Sequence, residues 1–193
     1  MTEPVPHHAT DLAAALAEAL RLIGRGVADR RSAFHTPTLA TIGLDGAPQA
    51  RTVVLRAVSA PERLVRVHTD LRSVKAAELA ADPRAALHFY EPKHQVQIRL
   101  SGRAQLLSGD AAEPFWTASR PMSRRCYASE PAPGTPIPAP QPAPLDEDCG
   151  RPNFAAIMLR FATLEWLWLW AEGHRRARFR WDGADWVGEW VAA

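Results

Sequence analysis

The strict alternation of polar and apolar residues over residues 95–101, within the stretch HQVQIRLSGRAQLL at residues 94–107, is the feature that most constrains the fold. Val96, Ile98 and Leu100 alternate there with Gln95, Gln97 and Arg99. A period of two places neighbouring side chains on opposite faces of a β-strand. The pattern therefore predicts a strand with one face in a hydrophobic core and one polar face.

Further β-rich stretches occur along the whole chain and are separated by turn signals. They are TLATIGL, APQARTVVLRAV, RLVRVHT, AALHFY, FAAIMLRFATLEWLWLW, RRARFRW and DWVGEWV. The pairs Asp45-Gly46 and Asp182-Gly183 predict tight turns, the first of them in a hairpin. Many strands with few helices predict an α+β protein built on a small antiparallel β-barrel. A length of 193 residues suits one domain that covers residues 1–193.

Four segments have other patterns. Residues 10–24 repeat apolar residues at helical spacing behind the N-cap candidates Thr10 and Asp11, and residues 73–83 predict a short helix between Ser73 and Pro83. A further helix is predicted over residues 109–121, ended by Pro121. The proline-dense stretch at about residues 130–145 predicts an extended surface loop.

The composition narrows the class of protein. The net charge of +2 is too small to indicate a nucleic-acid binder, and two cysteines cannot build a disulfide framework. The first residues, MTEPVPHHATDL, have no secretory-signal pattern, and the run LEWLWLWA is too short to cross a membrane. We therefore expect a cytoplasmic protein that does not span a membrane.

One group of polar residues predicts a phosphate site. Arg51 lies in a strand, while His68, Thr69, Ser73 and Lys75 lie where another strand gives way to a helix. Free N–H groups at a helix N-terminus, hydroxyls and cations all favour a bound anion. The alternative is that Arg51, Arg56 and Lys75 are ordinary solvated surface charges.

A second group lies near the carboxyl end of the sequence. Strand alternation places His174, Arg176 and Arg178 on one face, where they need an anion, a solvent boundary or a partner. The alternative is an edge strand protected by its charges. Trp166, Trp168 and Trp170 also share a face; such a row is core or interface, or one member flanks a planar cofactor.

Other chemistries have no motif in this sequence. CxxC and HExxH pairs are absent, so we predict no metal site. The glycine patterns of Rossmann and P-loop nucleotide sites are absent, and so is the GxSxG context of a hydrolase serine.

In their order along the chain, several segments resemble the pyridoxamine 5′-phosphate oxidase family, the FMN-binding split barrels. The segments are RTVVLR, HTDLRSVKA, QIRLSGRA, SRP and WLWAEGHRRARF, from Arg51 to Phe179. The resemblance implies a split β-barrel, FMN as cofactor, and a homodimer with FMN at the interface. It further implies hydride transfer to FMN from a small anionic substrate, such as a B6 vitamer phosphate.

The resemblance also implies a role for individual residues. Those implied to bind FMN are Arg51, Thr52, Val53, Val54, His68, Thr69, Ser73, Lys75, Gln97, Trp168 and Arg178. Those implied to bind the substrate are Arg56, Arg120, His174 and Arg176. No side chain is implied to act as a catalytic acid or base, because FMN supplies the chemistry.

The chain departs from the family at several positions. Val74 stands where the family usually has an arginine, Trp116 replaces a tyrosine, and His174 and Arg176 occur in reverse order. Two alternatives stay open. One is a protein that binds FMN for storage or sensing without turnover. The other is a nucleic-acid binder that uses the basic clusters at residues 120–125 and 174–180.

Overall fold

The computed structural model describes residues 5–142, 144–146 and 148–193, and over these residues it has four α-helices and nine β-strands. The helices are α1 (Leu12–Ala28), α2 (Val74–Ala81), α3 (Glu113–Thr117) and α4 (Pro121–Arg124). The strands are β1 (Thr38–Ile42), β2 (Pro48–Thr52), β3 (Leu55–Ser59), β4 (Leu64–Asp70), β5 (Arg84–Glu91), β6 (Val96–Ser108), β7 (Phe154–Trp168), β8 (Arg175–Trp181) and β9 (Trp186–Val191).

The strands form one antiparallel sheet in the order β2-β1-β5-β6-β7-β4-β3. The first half of β7 pairs with β4 and its second half pairs with β8, which in turn pairs with β9. The sheet does not close, because β2 and β3 lie at opposite ends of the order. This arrangement confirms the predicted α+β split β-barrel.

The core lies where the alternating strands predict it. Val96, Ile98 and Leu100 of β6 are buried, and Trp166 of β7, opposite Ile98, is also buried. On the other face Arg99 is exposed and bonds to Glu165 across the strand pair. The alternation of β6 is therefore the boundary between the core and the polar face of the sheet.

Helix α1 covers one side of this core. Its N-cap is Asp11, whose carboxylate accepts the backbone N–H of Ala14 at 2.7 Å. The small buried residues Ala15 and Ala19 let the helix approach the sheet. The helix ends at Ala28, in agreement with a predicted end at about Gly24 or somewhat beyond. Gly26 packs so closely that an added Cβ would lie 2.6 Å from the carbonyl oxygen of Phe34.

The RTVVLR segment is two strands rather than the single strand predicted. β2 pairs with β1 and ends at Thr52, whereas β3 pairs with β4 and begins at Leu55. Val53 and Val54 therefore join the two edges of the sheet across the opening of the barrel. The prediction was wrong because the sequence run is continuous, although its two halves pair with different neighbours.

The predicted helix at residues 109–121 was also wrong in part. A 3-10 turn (Gly109–Ala111) precedes α3, and Pro121 begins α4 instead of ending a helix. Proline suits the first turn of a helix, where its missing N–H costs no hydrogen bond. The proline-dense stretch has neither helix nor strand over residues 130–142 and 144–145, as predicted, while Ala143 lies outside the described residues.

Candidate functional site

A cavity of about 330 Å³ lies at the opening of the barrel, where the two sheet edges meet. Val53 and Val54, which join those edges, form part of its wall. The remaining lining residues come from β2, β3, β4, α2 and the segment that contains α4. The full lining is Thr52, Val53, Val54, Arg56, His68, Lys75, Met122, Ser123, Cys126 and Tyr127.

The end of β4 and the start of α2 form the polar side of the cavity. Lys75 donates from Nζ to Oγ1 of Thr69 at 3.3 Å, and Oγ1 of Thr69 lies 3.1 Å from Oγ of Ser73. Ser73 is the N-cap residue of α2, as predicted, but its hydroxyl donates to the carbonyl of Asp70 instead of capping the helix. The first N–H groups of α2 therefore receive no bond from the N-cap side chain.

Arg51 lies beside this cluster, and its guanidinium is fixed by hydrogen bonds to Glu78 and Thr41. Its Nη2 donates to Oε2 of Glu78 at 2.7 Å, its Nη1 donates to Oγ1 of Thr41, and Thr41 donates to the same carboxylate at 2.6 Å. Glu78 is 2% exposed. Sequence reasoning missed Thr41 and Glu78, because nothing in the pattern of α2 distinguishes a buried glutamate from a solvated one.

The charge of the cavity is predominantly positive. Burial lowers the pKa of Lys75, and the neighbouring Arg51 lowers it further. Among the described residues, no carboxylate oxygen lies within 4.0 Å of the Lys75 ammonium, and Nε of Arg56 has no hydrogen-bond partner. Half-buried cations without counter-ions are costly, so an anion in this cavity would relieve their mutual repulsion.

His68 also lines the cavity and is an uncharged histidine. Burial lowers its pKa to about 3, with further contributions from Arg56 and Arg66. Its ring packs edge-on against Phe154 at 4.8 Å between centroids, and its Nε2 has no partner among the described residues. Burial also raises the pKa of Tyr127 to about 12, so both rings are uncharged at neutral pH.

Of the predicted site residues, Arg51, Thr69 and Ser73 adjoin the cavity without lining it, and six more lie away from it in the protomer. Arg176 pairs with Glu165 at 2.6 Å, and Arg178 pairs with Glu189 at 2.7 Å. The remaining four have the following places. Gln97 contacts His88, and Arg120 is the N-cap residue of α4. Trp168 stacks on Trp170 beside a second cavity of about 650 Å³. His174 and Arg176 line a third cavity of about 310 Å³.

The cavity residues can be tested against FMN from the structure itself. A phosphate requires charge-assisted donors, which Lys75, Arg51 and the start of α2 offer. A flat ring requires an apolar wall with few hydrogen-bonding groups, which Val53, Val54 and the neutral His68 offer. Nε of Arg56 and Nε2 of His68 are buried without a hydrogen-bond partner among the described residues, and both side chains line the cavity. The residues present therefore fit FMN.

Comparison with known proteins agrees with this geometry. Residues 16–108 match the family described as "Pyridoxamine 5′-phosphate oxidase, FMN-binding domain". Over this segment, which is just under half of the chain, the sequence is similar to the pyridoxamine 5′-phosphate oxidases. The matched segment contains every predicted residue from Arg51 to Gln97, so FMN is the cofactor that this domain type binds. It does not contain the predicted residues from Arg120 to Arg178.

Curated relatives match over the same part of the chain. A pyridoxine/pyridoxamine 5′-phosphate oxidase of Burkholderia vietnamiensis is 41% identical over 98 residues, which is 50% of this chain and 44% of that protein. The enzyme of the same name from Cupriavidus pinatubonensis is 39% identical over 95 residues, or 48% of this chain and 43% of that protein. The matches thus span less than half the length of these relatives.

Solved structures match over the whole chain. A pyridoxamine 5′-phosphate oxidase-related, FMN-binding protein from Nostoc punctiforme has a TM-score of 0.77 at 26% identity, with 100% of both chains covered. PhzG from Burkholderia lata, solved with tetrahydrophenazine-1-carboxylic acid, has a TM-score of 0.71 at 21% identity over 100% of this chain and 99% of that one. The second likeness shows the fold alone.

Two negative findings apply to the described residues only. There, no group of three or more histidine, cysteine, aspartate or glutamate side chains is placed to hold a metal ion. No helix in that part of the chain has both the length and the apolar character needed to cross a bilayer.

Proposed function

We propose that this protein is an FMN-dependent oxidoreductase that acts on a small anionic substrate. The observation that carries the proposal is the cavity at the opening of the barrel. It holds cations without carboxylate partners, and six of its ten lining residues, from Thr52 to Lys75, lie in the segment that matches an FMN-binding domain. FMN, when bound, supplies a two-electron acceptor for a hydride.

The phosphate of FMN lies, in this proposal, at the start of α2. Lys75 and Arg51 donate charged hydrogen bonds to it, and Ser73 and Thr69 contribute hydroxyls. The positive end of the α2 dipole favours an anion at the same place. Val74, which is 57% exposed at this helix start, adds no donor from its side chain. Affinity for the phosphate therefore depends on Arg51 and Lys75.

The flavin ring lies along the opposite part of the cavity. Thr52, Val53 and Val54 lie at the junction of the two sheet edges, and Val54 takes no part in either strand ladder. Its backbone is therefore available to a ligand. His68 faces the same space as an uncharged ring, so it contributes a hydrogen-bonding group without adding a charge near the flavin.

A homodimer completes the proposed site. Gln97, Trp168 and Arg178 are implied to contact FMN, yet within one protomer they lie away from the cavity. If the resemblance holds, the partner protomer brings its own copies of these residues to the ring. The polar face of β6 and β8, which carries Gln97 and Arg178, is the surface that we propose for this contact. Trp168 lies on the other face of the sheet, against the core, at the end of β7.

The substrate binds beside the ring and is held by cations. Arg56 lines the cavity and has no carboxylate partner among the described residues, so it is the residue that we propose binds an anionic group there. Arg120, His174 and Arg176 complete the substrate-binding set in this proposal. A B6 vitamer phosphate has the required chemistry, since it carries an oxidisable amine or alcohol and a phosphate.

The test has two stages. The purified protein is expected to show flavin absorption bands and to release FMN on heating, as identified by chromatography. Oxygen consumption with pyridoxamine phosphate, and with a panel of other small anionic amines and alcohols, then tests turnover. Bound FMN without turnover on any substrate would favour an FMN-binding protein instead, and a protein that takes up no flavin would contradict both functions.

A further inference from the structure

A buried carboxylate lies directly behind the proposed phosphate site. Glu78 of α2 is 2% exposed, and its Oε2 accepts hydrogen bonds from Nη2 of Arg51 at 2.7 Å and from Oγ1 of Thr41 at 2.6 Å. Thr41 also accepts from Nη1 of Arg51. Three elements, β1, β2 and α2, therefore contribute one side chain each to a closed network.

Burying a carboxylate is costly unless its oxygens are paired, so this network is a specific arrangement. A guanidinium has five N–H donors in a fixed plane, and the network engages two of them. The other three N–H donors of Arg51 make no hydrogen bond to another described residue. The network thus fixes the plane of the guanidinium without consuming its binding capacity.

The position of Glu78 on α2 connects it to Lys75. The two residues are three apart on the helix, so they lie one turn from each other. Arg51 is close enough to lower the pKa of Lys75, while Glu78 acts in the opposite direction. Without Glu78, two cations would repel each other at the start of α2 before any anion had bound.

We propose that Glu78, supported by Thr41, is a positioning residue that holds Arg51 beside Lys75 for the phosphate group of FMN. This inference rests on the proposed function. It assigns Glu78 no contact with the flavin ring or the substrate. Removing its carboxylate should therefore affect the phosphate end of the ligand only.

Comparing FMN with riboflavin distinguishes an effect on the phosphate end of the ligand from an effect on the ring end, because the two flavins share the ring and only FMN has the phosphate. Dissociation constants for both flavins are measured by fluorescence titration of the flavin-free protein, for wild type, Glu78→Gln, Glu78→Ala and Thr41→Val. We expect FMN affinity to fall about tenfold in Glu78→Ala, about threefold in Glu78→Gln and about threefold in Thr41→Val, with riboflavin affinity unchanged. Glu18→Gln, which removes an ion pair with Arg21 on α1, is the control.

Melting temperatures show which variants fold. If Glu78→Ala does not fold, Thr41→Val and Glu78→Gln give the result, since both keep the shape of the side chain. Equal losses of affinity for FMN and riboflavin would overturn the inference, and so would an unchanged affinity for FMN. An increased affinity for FMN would also overturn it, because Glu78 would then compete with the phosphate for Arg51. If the wild-type protein binds FMN, any of these results refutes only the positioning role of Glu78. If the wild-type protein binds neither flavin, both the proposed function and this inference are refuted.

Discussion

Two regions of this molecule are rich in cations, and they differ in how those cations are paired. On β8, Arg176 and Arg178 each contact a carboxylate of a neighbouring strand, at 2.6 Å and 2.7 Å. At the opening of the barrel, Arg56 and Lys75 line a cavity, and neither has a carboxylate partner among the described residues. The sequence shows similar clusters of basic residues in both places.

The two regions differ in whether their cations already have carboxylate counter-ions. An exposed arginine that already has a glutamate partner is stable without a ligand, and such surface pairs contribute little energy. A half-buried lysine without a carboxylate in contact carries a desolvation cost, which a bound anion would offset. The comparison therefore supports our proposal that the cavity binds an anionic ligand, while the β8 cations act, in the same proposal, in the dimer.

The largest expected effect comes from removing the unpaired lysine. Lys75→Met should raise the dissociation constant of FMN by about 30-fold, because one charge-assisted hydrogen bond to the phosphate is lost. The flavin-free variant should be at least as stable as wild type, since a desolvated cation has been removed. Flavin titration and thermal unfolding measure the two quantities, with Lys93→Met, an exposed lysine outside this cavity, as the control.

The next effect is a pH dependence that originates in the cavity. His68 has its pKa lowered to about 3 in the folded state. Between that value and the ordinary value, the unfolded chain binds more protons, so stability falls as the pH falls. We expect the flavin-free protein to lose about 2 kcal/mol of unfolding free energy between pH 7 and pH 5 through this group.

Urea unfolding of wild type and His68→Phe at several pH values measures this contribution. The difference in slope between the two proteins isolates His68 from the other titrating groups. Parallel stability curves for the two proteins would show that His68 is not buried in the neutral form, and the electrostatic description of the cavity would then be wrong.

Arg56 sharpens the comparison within the cavity itself. We expect Arg56→Ala to raise the KM for an anionic substrate about tenfold while FMN stays bound, because a single ionic contact with the substrate is lost. Steady-state kinetics together with the flavin absorbance of the purified variant measure both effects. Loss of bound flavin from this variant would refute the division between cofactor and substrate cations.

The smallest expected effect is a change in stability when the ion pairs between β7 and its neighbouring strands are removed. Glu165 bridges Arg99 and Arg176 on the exposed face of the sheet. Glu165→Gln should lower the unfolding free energy by about 0.5 kcal/mol, because these pairs are partly exposed and screened by solvent. Urea unfolding measures the loss, and a loss as large as that of a buried ion pair would show that the two cation-rich regions are energetically alike.

The sequence predicted the strands well because alternation is a local signal. The run from Val96 to Leu100 needs no knowledge of its neighbours to show which face is buried. RTVVLR was harder, because its two halves belong to opposite edges of the sheet, and pairing partners cannot be read from a continuous apolar run. Pro121 was misplaced for a related reason, since proline both ends helices and begins them.

The candidate site divides in the same way. Arg51, Ser73 and Lys75 were predicted as one cluster from their positions at a strand and a helix start, and the structure brings them together around Thr69 and Glu78. Glu78 itself escaped prediction, because its burial depends on the approach of β1 and β2 to α2. Contacts between distant segments decide that approach, and they leave no mark on the spacing of residues within α2.

The most direct test of the central claim is a crystal structure of the protein grown in the presence of FMN. We predict that the phosphate lies between Lys75 and Arg51 at the start of α2, with the flavin ring along Val53 and Val54. FMN bound elsewhere on the chain, with Arg51 and Lys75 contacting no part of it, would contradict the account.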